Sequence, residues 1–463
     1  MRCRAVIMRR LRLHSVAGRS SCIRASRMPI LPMTPYAQRW HAPPWIAFRA
    51  AYRELLLGLF LLGLLPRLVM LAVQPDRLQF FEYEILAQNI VGGQGYVIPR
   101  FGHTALAFGD GNLYSFLAAS VYLLVGHQPL VLAVVQAVIA SLAAPVIFAI
   151  GARVFGWQVA ALGAVLAALH PGLLAYTWKL HPLGLDVLLL ALTILWVVRI
   201  DGRVRSGLMP GLTLGATLMS RPTFFVAGVA ALGFRWLGRR HLAASALALA
   251  LALMVALPWV VRGWSVLGRP VFISSSFEDV WKGNNPSASG SSYLPSGQDV
   301  FAAASPELQA QFTAATELQL NEVFTQEVVA FISQHPGDFV GLTVRKFAYF
   351  WWSSPQMGLL YPPMWLTAYQ GYALVIFGFG IVGAVTILRS GSPAERELLG
   401  VLAAISLSLA VIHALAYVEG RHRWGVEPLL LLMTARGIFV VAGSLRNANL
   451  TGQLRLFRRE SER

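Results

Sequence analysis

The chain is 463 residues long, 56% hydrophobic and only 13% charged, where soluble domains carry about 25% charged residues. Its apolar residues come in long uninterrupted runs, which excludes a water-soluble enzyme, a disordered chain and a disulfide scaffold and leaves a polytopic helical membrane protein. The net charge of +17 is assigned to cytoplasmic ends attracted to anionic membrane lipid, and no nucleic-acid partner is expected, since no aromatic-interleaved basic motif is present.

Residues 1–53 hold eleven Arg and no Asp, Glu or Lys. They read as a basic disordered arm with no apolar signal core. The make-up of residues 1–45 resembles a transit peptide, or else translation starts later, at Met28 or Met33. Both cysteines, Cys3 and Cys22, lie there, so no disulfide framework or CxxC site exists.

A bilayer core needs about 20 apolar residues per helix. Spans are expected at 54–73, 128–151, 158–177, 183–199, 207–220, 222–237, 242–261, 366–388, 397–418 and 425–445. The fifth and sixth are short and meet at Arg221-Pro222, where proline favours a break. The Lys/Arg bias puts both termini, Arg153 and the loops 199–206, 235–240 and 389–396 in the cytoplasm. That scheme requires 113–126 to form a half-embedded helix rather than a span.

The expected fold is thus all-α and polytopic, with about ten transmembrane helices, interfacial helices in the first outer loop and a small extracytoplasmic domain. The divisions are the arm 1–53, a module 54–261 with outer loop 74–127, an outer domain 262–365, C-terminal spans 366–445 and a basic cytoplasmic tail 446–463. In 317–331 the residues Leu318, Val323, Phe324 and Val328 recur at roughly a helical period. The chain has no internal repeat.

Chemistry concentrates in the first outer loop. Residues 79–91 predict an amphipathic helix with Tyr83, Leu86, Ala87 and Ile90 on one face. Glu82 and Asn89 share another face, Glu84 points nearly opposite to Glu82, and Gly92, Gly93 and Gly95 end the helix. A solvated surface helix is the plain reading. A partly buried Glu at a lipid boundary would instead suit a general base.

The run Ala87-Gln88-Asn89-Ile90-Val91-Gly92-Gly93-Gln94-Gly95-Tyr96, behind the acid Glu82, resembles the first loop of the GT-C glycosyltransferases, in the branch of protein mannosyltransferases and lipid A aminoarabinose transferases. Gly111-Asn112-Leu113-Tyr114-Ser115 keeps only the Leu-Tyr of the P-P-L-Y-P that usually follows there. Further similarities are His170-Pro171, Leu218-x-x-Arg221-Pro222, Pro258-Trp259-x-x-Arg262 and Trp281-x-Gly283-Asn284-Asn285-Pro286. They continue with His335-Pro336-x-x-Phe339 before Lys346 and Trp351, and Tyr417-x-x-x-Arg421-x-Arg423 before Glu427-Pro428.

The resemblance implies a sugar transferase using a polyprenyl-phosphate donor, an extracytoplasmic lipid, glycan or protein acceptor, and inversion at the anomeric carbon. Glu82 is the candidate general base. Arg221, at the outer end of two short helices, is the candidate phosphate ligand or else the partner of a nearby acid. Arg421 and Arg423 are candidates to fork onto phosphate oxygens, or to act as interfacial anchors, and Lys179 to add a point charge. Asp186 is expected to position the acceptor or to pair with Lys179. Asn89 is a candidate substrate contact and Asp110 a fallback acid. Trp351, Trp352 and Tyr361 suit an aromatic belt. No required metal is expected, because His103, His170, His181 and Asp110 lack ligand spacing.

The ratio of 35 Arg to 3 Lys suggests a GC-rich genome and a bacterial inner membrane. The alternatives are a transporter or flippase of lipid-linked glycans and a non-catalytic membrane scaffold. The scaffold predicts that Glu82, Arg221 and Arg421 lie apart.

Overall fold

The structure, a computed structural model, describes residues 44–461 apart from 107, 108, 110, 240 and 275. Every element below lies in the compact unit Tyr52–Arg463.

Among the described residues, seven helical stretches are long and apolar enough to cross a membrane by length and composition: Tyr52–Val73, Pro129–Val154, Trp157–Trp178, Leu242–Leu267, Pro363–Ser390, Pro393–Leu415 and Glu427–Asn447. Two of these stretches are not single helices. Pro129–Ser141 passes to Ala143–Val154 through Leu142, where Pro145 has no N–H to continue the ladder. Trp157–Ala168 stops before Pro171, because the residue preceding a proline is disfavoured in helical geometry.

Three shorter helices, Leu183–Val197, Leu208–Ser220 and Pro222–Arg239, hold the middle of the fold. Their Leu190, Ile194, Leu214, Phe224 and Ala227 share one core with Ile405, Leu409, Leu429 and Leu432 from the C-terminal helices. The first and last parts of the chain are therefore packed together rather than forming separate bundles.

Small residues set one close helix contact. Gly207, Gly211 and Gly215 recur every four residues and face the Ala244, Ala248 and Ala252 stripe of Leu242–Leu267; a Cβ at Gly207 would lie 2.1 Å from the Ala244 carbonyl oxygen. Between apolar helices in lipid, such close backbone approach is a main source of attraction. Leu208–Ser220 then ends at Arg221. There Arg221 adopts extended backbone (φ −149°, ψ 104°), as the following proline demands.

The loop 74–127 departs from expectation at its start. The helix runs Glu82–Val91 and not from 79, because Gln79 pairs with the 178–180 segment: its N–H donates to Trp178 O (2.7 Å) and its carbonyl accepts from Leu180 N (3.0 Å). Tyr83, Leu86 and Ala87 are buried as the periodicity predicts. A short antiparallel hairpin follows, Ile98–Arg100 with His103–Ala105, then the helix Asn112–Val125. Gly111 (φ 77°) joins them under the Tyr83 ring, where a Cβ would lie 2.1 Å from Tyr83 Cε1. The Gly111 N–H donates to Ser220 O (2.7 Å), which ties this loop to the residue before Arg221. Arg262 clasps it from the other side, donating to Tyr96 O (2.9 Å) and Leu106 O (3.1 Å).

Between Leu267 and Pro363, the helices Ser276–Lys282, Pro306–Ala314 and Glu317–Gln334 enclose an aromatic core of Trp281, Phe312 and Phe324 with Phe301 packed on it, and the helix Pro336–Trp351 sends Phe350 into the larger core. The buried stripe of Glu317–Gln334 is Leu320, Phe324, Val328 and Phe331; Leu318 and Val323 flank it.

The Trp281–Pro286 run is a clamp. Gly283 lies so close to the Ala416 carbonyl that a Cβ would come within 1.8 Å of its oxygen, and Asn284 Nδ2 donates to Leu415 O (2.7 Å). Lys346 Nζ donates to Gly283 O (3.0 Å), Asn284 Oδ1 (2.7 Å) and Ala416 O (2.8 Å). Three acceptors offset the cost of burying an ammonium. Together they pin the turn that presents Glu419 and Arg421.

Candidate active site

A cavity of about 750 Å³ opens where the loop 74–127, the Arg221–Pro222 junction, the 276–282 helix and the 417–422 turn meet. Glu82, Arg221 and Arg421 all line it. The Glu82 carboxylate, exposed in the first turn of its helix, makes no hydrogen bond or ion pair with any described residue. Glu84 points away as expected and is buried, accepting hydrogen bonds from Gln88 (2.5 Å), Tyr122 and His127.

Arg221 Nε donates to Asp186 Oδ2 (2.7 Å), and Ser220 Oγ donates to Asp186 Oδ1 (2.5 Å). The partner of Asp186 is therefore Arg221 rather than Lys179, and the fully buried carboxylate does not reach the cavity wall. The pair holds the guanidinium in place. Arg221→Met is expected to lower stability by about 3–5 kcal/mol, because it leaves a buried carboxylate without its counter-charge. Arg221→Met with Asp186→Leu should regain most of that loss. Thermal unfolding of the two variants in detergent checks this.

Arg421 Nη2 donates to Tyr417 Oη (3.1 Å), and its Nε lies 3.1 Å from Glu419 Oε2. Arg423 does not join it. Its Nε donates to Glu427 Oε2 (2.8 Å), its Nη1 to Phe350 O (3.1 Å) and Trp352 O (2.7 Å), and its Nη2 to Tyr369 Oη. The two arginines sit two residues apart in the short helix Gly420–Trp424, about 200° around its axis. They serve different ends: Arg423 locks the C-terminal helices and Arg421 lines the cavity.

Lys179 lies behind the cavity wall, its ammonium 5.1 Å from both the Tyr176 and Tyr361 rings. Burial and the nearby Arg421 push it down to about 8, against the pull of Glu419. Tyr361 stacks on Trp365 inside the fold, in place of the belt position expected for it. Asn89 is also structural: its Nδ2 donates to Val97 O (2.7 Å), closing the glycine turn, and it does not line the cavity. Asp110 and the side chain of His103 lie outside the described residues. Among the described residues, no three His, Cys, Asp or Glu side chains are grouped to hold a metal ion.

Several cavity residues have no counterpart in the sequence reading. Arg100 pairs with buried Glu278, which also meets Lys282 Nζ (2.9 Å). Burial is the largest influence on Lys282 and opposes its charge, but Asp279 and Tyr417 together outweigh it and hold the ammonium above its ordinary value. The i,i+4 spacing of Glu278 and Lys282 was a local signal for that pair; nothing local linked it to Arg100. His413 and His422 also line the cavity, together with His181, which the sequence raised only as a metal ligand. Burial, then Arg421, Arg221 and Lys179, hold His181 well below its ordinary range.

Comparison with known proteins gives one sequence match. Residues 111–264 match the profile of the dolichyl-phosphate-mannose-protein mannosyltransferase family, so the resemblance to GT-C glycosyltransferases is present over that stretch, which contains Asp186 and Arg221. No curated protein matches the chain.

Among solved structures, the Archaeoglobus fulgidus oligosaccharyltransferase in the apo form is 15% identical with a TM-score of 0.49, covering 87% of this chain and 52% of that one. The chain thus spans about half its length. ArnT from Cupriavidus metallidurans bound to undecaprenyl phosphate is 14% identical with a TM-score of 0.39, covering 82% of this chain and 78% of that one.

Proposed function

We propose that the chain is an integral-membrane glycosyltransferase that moves a sugar from a polyprenyl-phosphate carrier to a hydroxyl acceptor on the outer side of the membrane, with inversion. The observation that carries this reading is that Glu82, Arg221 and Arg421 line one cavity. The family profile over residues 111–264, named for a dolichyl-phosphate-mannose donor, supports the class of donor. The bacterial inner membrane, with both termini cytoplasmic, belongs to the same reading and draws on the Lys/Arg bias.

In this mechanism the Glu82 carboxylate takes the proton of the acceptor hydroxyl as its oxygen attacks the anomeric carbon. The bond from that carbon to the phosphate oxygen breaks, and its electron pair leaves with the phosphate. Arg221 and Arg421 stabilise the growing negative charge, so that no acid need protonate the leaving group. Lys179 adds positive potential from behind the wall. Asp186 acts by holding Arg221, and Arg423 and Asn89 act on the scaffold.

The test is sugar transfer by purified protein from synthetic polyprenyl-phosphate sugars to a panel of acceptors. Transfer with inverted anomeric configuration is expected. Binding of the donor with no transfer to any acceptor would instead favour a carrier of lipid-linked glycans.

A further inference from the structure

The helix Pro336–Trp351 buries one side and leaves the other bare. Leu342, Lys346 and Phe350 are buried, while Val340 is 59% exposed, Val344 65% and Phe347 37%. At about 100° per residue, these three and the partly exposed Trp351 fall within about 60° of arc. Arg345 and Asp338 lie about 140° and about 160° around from Val340, where a long Arg side chain reaches the headgroup region. Thr343, at the edge of the arc, donates its hydroxyl to Phe339 O of its own helix (2.8 Å). A helix facing water would carry polar residues on such a face.

Its neighbours place the end of this helix inside the ends of two spans. Lys346 Nζ bonds to Ala416 O, one residue beyond the span Pro393–Leu415. One turn later, the Phe350 ring stacks on His413 of that span, with centroids 6.3 Å apart and planes 14° from parallel. Ser353 Oγ then accepts from Gln370 Nε2 (3.0 Å), about 10 Å along the span Pro363–Ser390 from its start. The helix thus runs inward beside both spans, C-terminal end first. Each span exposes an apolar stripe of its own, Leu407, Val411 and Leu415 on one and Leu374, Val375 and Ile381 on the other. The bare face of Pro336–Trp351 continues that lipid-facing surface.

The polar groups of the helix agree with this depth. Carbonyls at the end of a helix have no partner within it, and beside lipid they must find one in the protein. Arg423 Nη1 supplies it, donating to Phe350 O (3.1 Å) and Trp352 O (2.7 Å). Lys346 points to the protein side and gives its protons to Gly283 O, Asn284 Oδ1 and Ala416 O, as a charge kept away from lipid must.

We propose that Pro336–Trp351 is a half-inserted helix whose Val340, Val344 and Phe347 face rests in the bilayer leaflet on the cavity side, with Phe347 among the acyl chains and Val340 at the headgroups. The end of the segment 262–365 then belongs to the membrane-embedded body, and the partner of this face is lipid.

The experiment places nitroxide spin labels by Val340→Cys, Val344→Cys and Phe347→Cys, one at a time, in the full chain with Cys3→Ser and Cys22→Ser, reconstituted in liposomes of phosphatidylcholine and phosphatidylglycerol. Relaxation by oxygen, which concentrates in lipid, is compared with relaxation by a neutral nickel chelate, which stays in water. The ratio of the two is expected to rise from 340 through 344 to 347. At 344 and 347 it should exceed several-fold the ratio at Asp338→Cys on the exposed flank. Nickel access at 344 and 347 equal to that at 338 would overturn the proposal, because the face then meets water. Exclusion of both agents, with dipolar broadening between labels, would also overturn it, because a second copy of the chain then covers the face.

Val344→Glu in the otherwise native chain gives a reading free of labels. Glu is a better helix former than Val, so on a water-facing helix it leaves the melting temperature unchanged or raises it. Against lipid the added carboxylate is costly, and the melting temperature in liposomes must fall; an unchanged or raised value overturns the proposal. Both readouts concern position alone and do not depend on the chemistry of the cavity.

Discussion

Glu82→Gln is expected to lower kcat for sugar transfer by about 10²–10⁴-fold, the range typical of a lost general base. The substitution is isosteric, and the carboxylate makes no hydrogen bond or ion pair with a described residue, so melting temperature should stay at the wild-type value. Donor affinity should also stay close to wild type, because the phosphate is held by other groups. A fall in kcat and kcat/KM by equal factors marks an interaction made only in the transition state. Steady-state transfer kinetics, read beside thermal unfolding, distinguish this from a folding defect. Wild-type turnover in Glu82→Gln would remove this residue from the chemistry and leave no described acid assigned to it.

The second large effect is expected at Arg421. Arg421→Gln should lower kcat/KM by about 10²–10³-fold, as removal of one oriented donor to a developing anion does. Arg421 has a partner that faces the cavity: Glu419 is itself a lining residue and also accepts from Ser292 Oγ. Arg421→Lys should recover only part of the loss, since an ammonium keeps the charge but not the planar fork. Arg423→Gln should differ in kind, lowering stability through lost bonds to Glu427, Phe350, Trp352 and Tyr369. Transfer kinetics on folded protein separate the two arginines, and equal kcat/KM in Arg421→Gln and wild type would contradict the assigned role.

The helices were legible because each apolar run is long and continuous, and burial in lipid or in the core asks for nothing more specific. The Arg221-Pro222 break was legible because proline acts on its immediate neighbour. The partner of Asp186 was not, since the choice between Lys179 and Arg221 depends on how helices 35 residues apart pack. Arg421 and Arg423 read as a pair in the sequence, but a short helical turn sends them to opposite sides. The outer wall of the cavity was the least legible part. Arg100, Glu278 and Glu419 come from a hairpin, a helix and a turn distant in sequence, and the Gly283–Lys346 clamp helps to bring the last two together.

The central claim is that an anionic base and two guanidiniums share one cavity facing the outer side. Single cysteines at positions 82 and 421, in a chain whose Cys3 and Cys22 are replaced by Ser, test it with a membrane-impermeant thiol reagent on intact cells. Both positions should label from outside, and undecaprenyl phosphate added to the purified protein should protect position 421. Labelling of the two positions from opposite sides of the membrane would contradict the account, because no single reaction centre can then contain both.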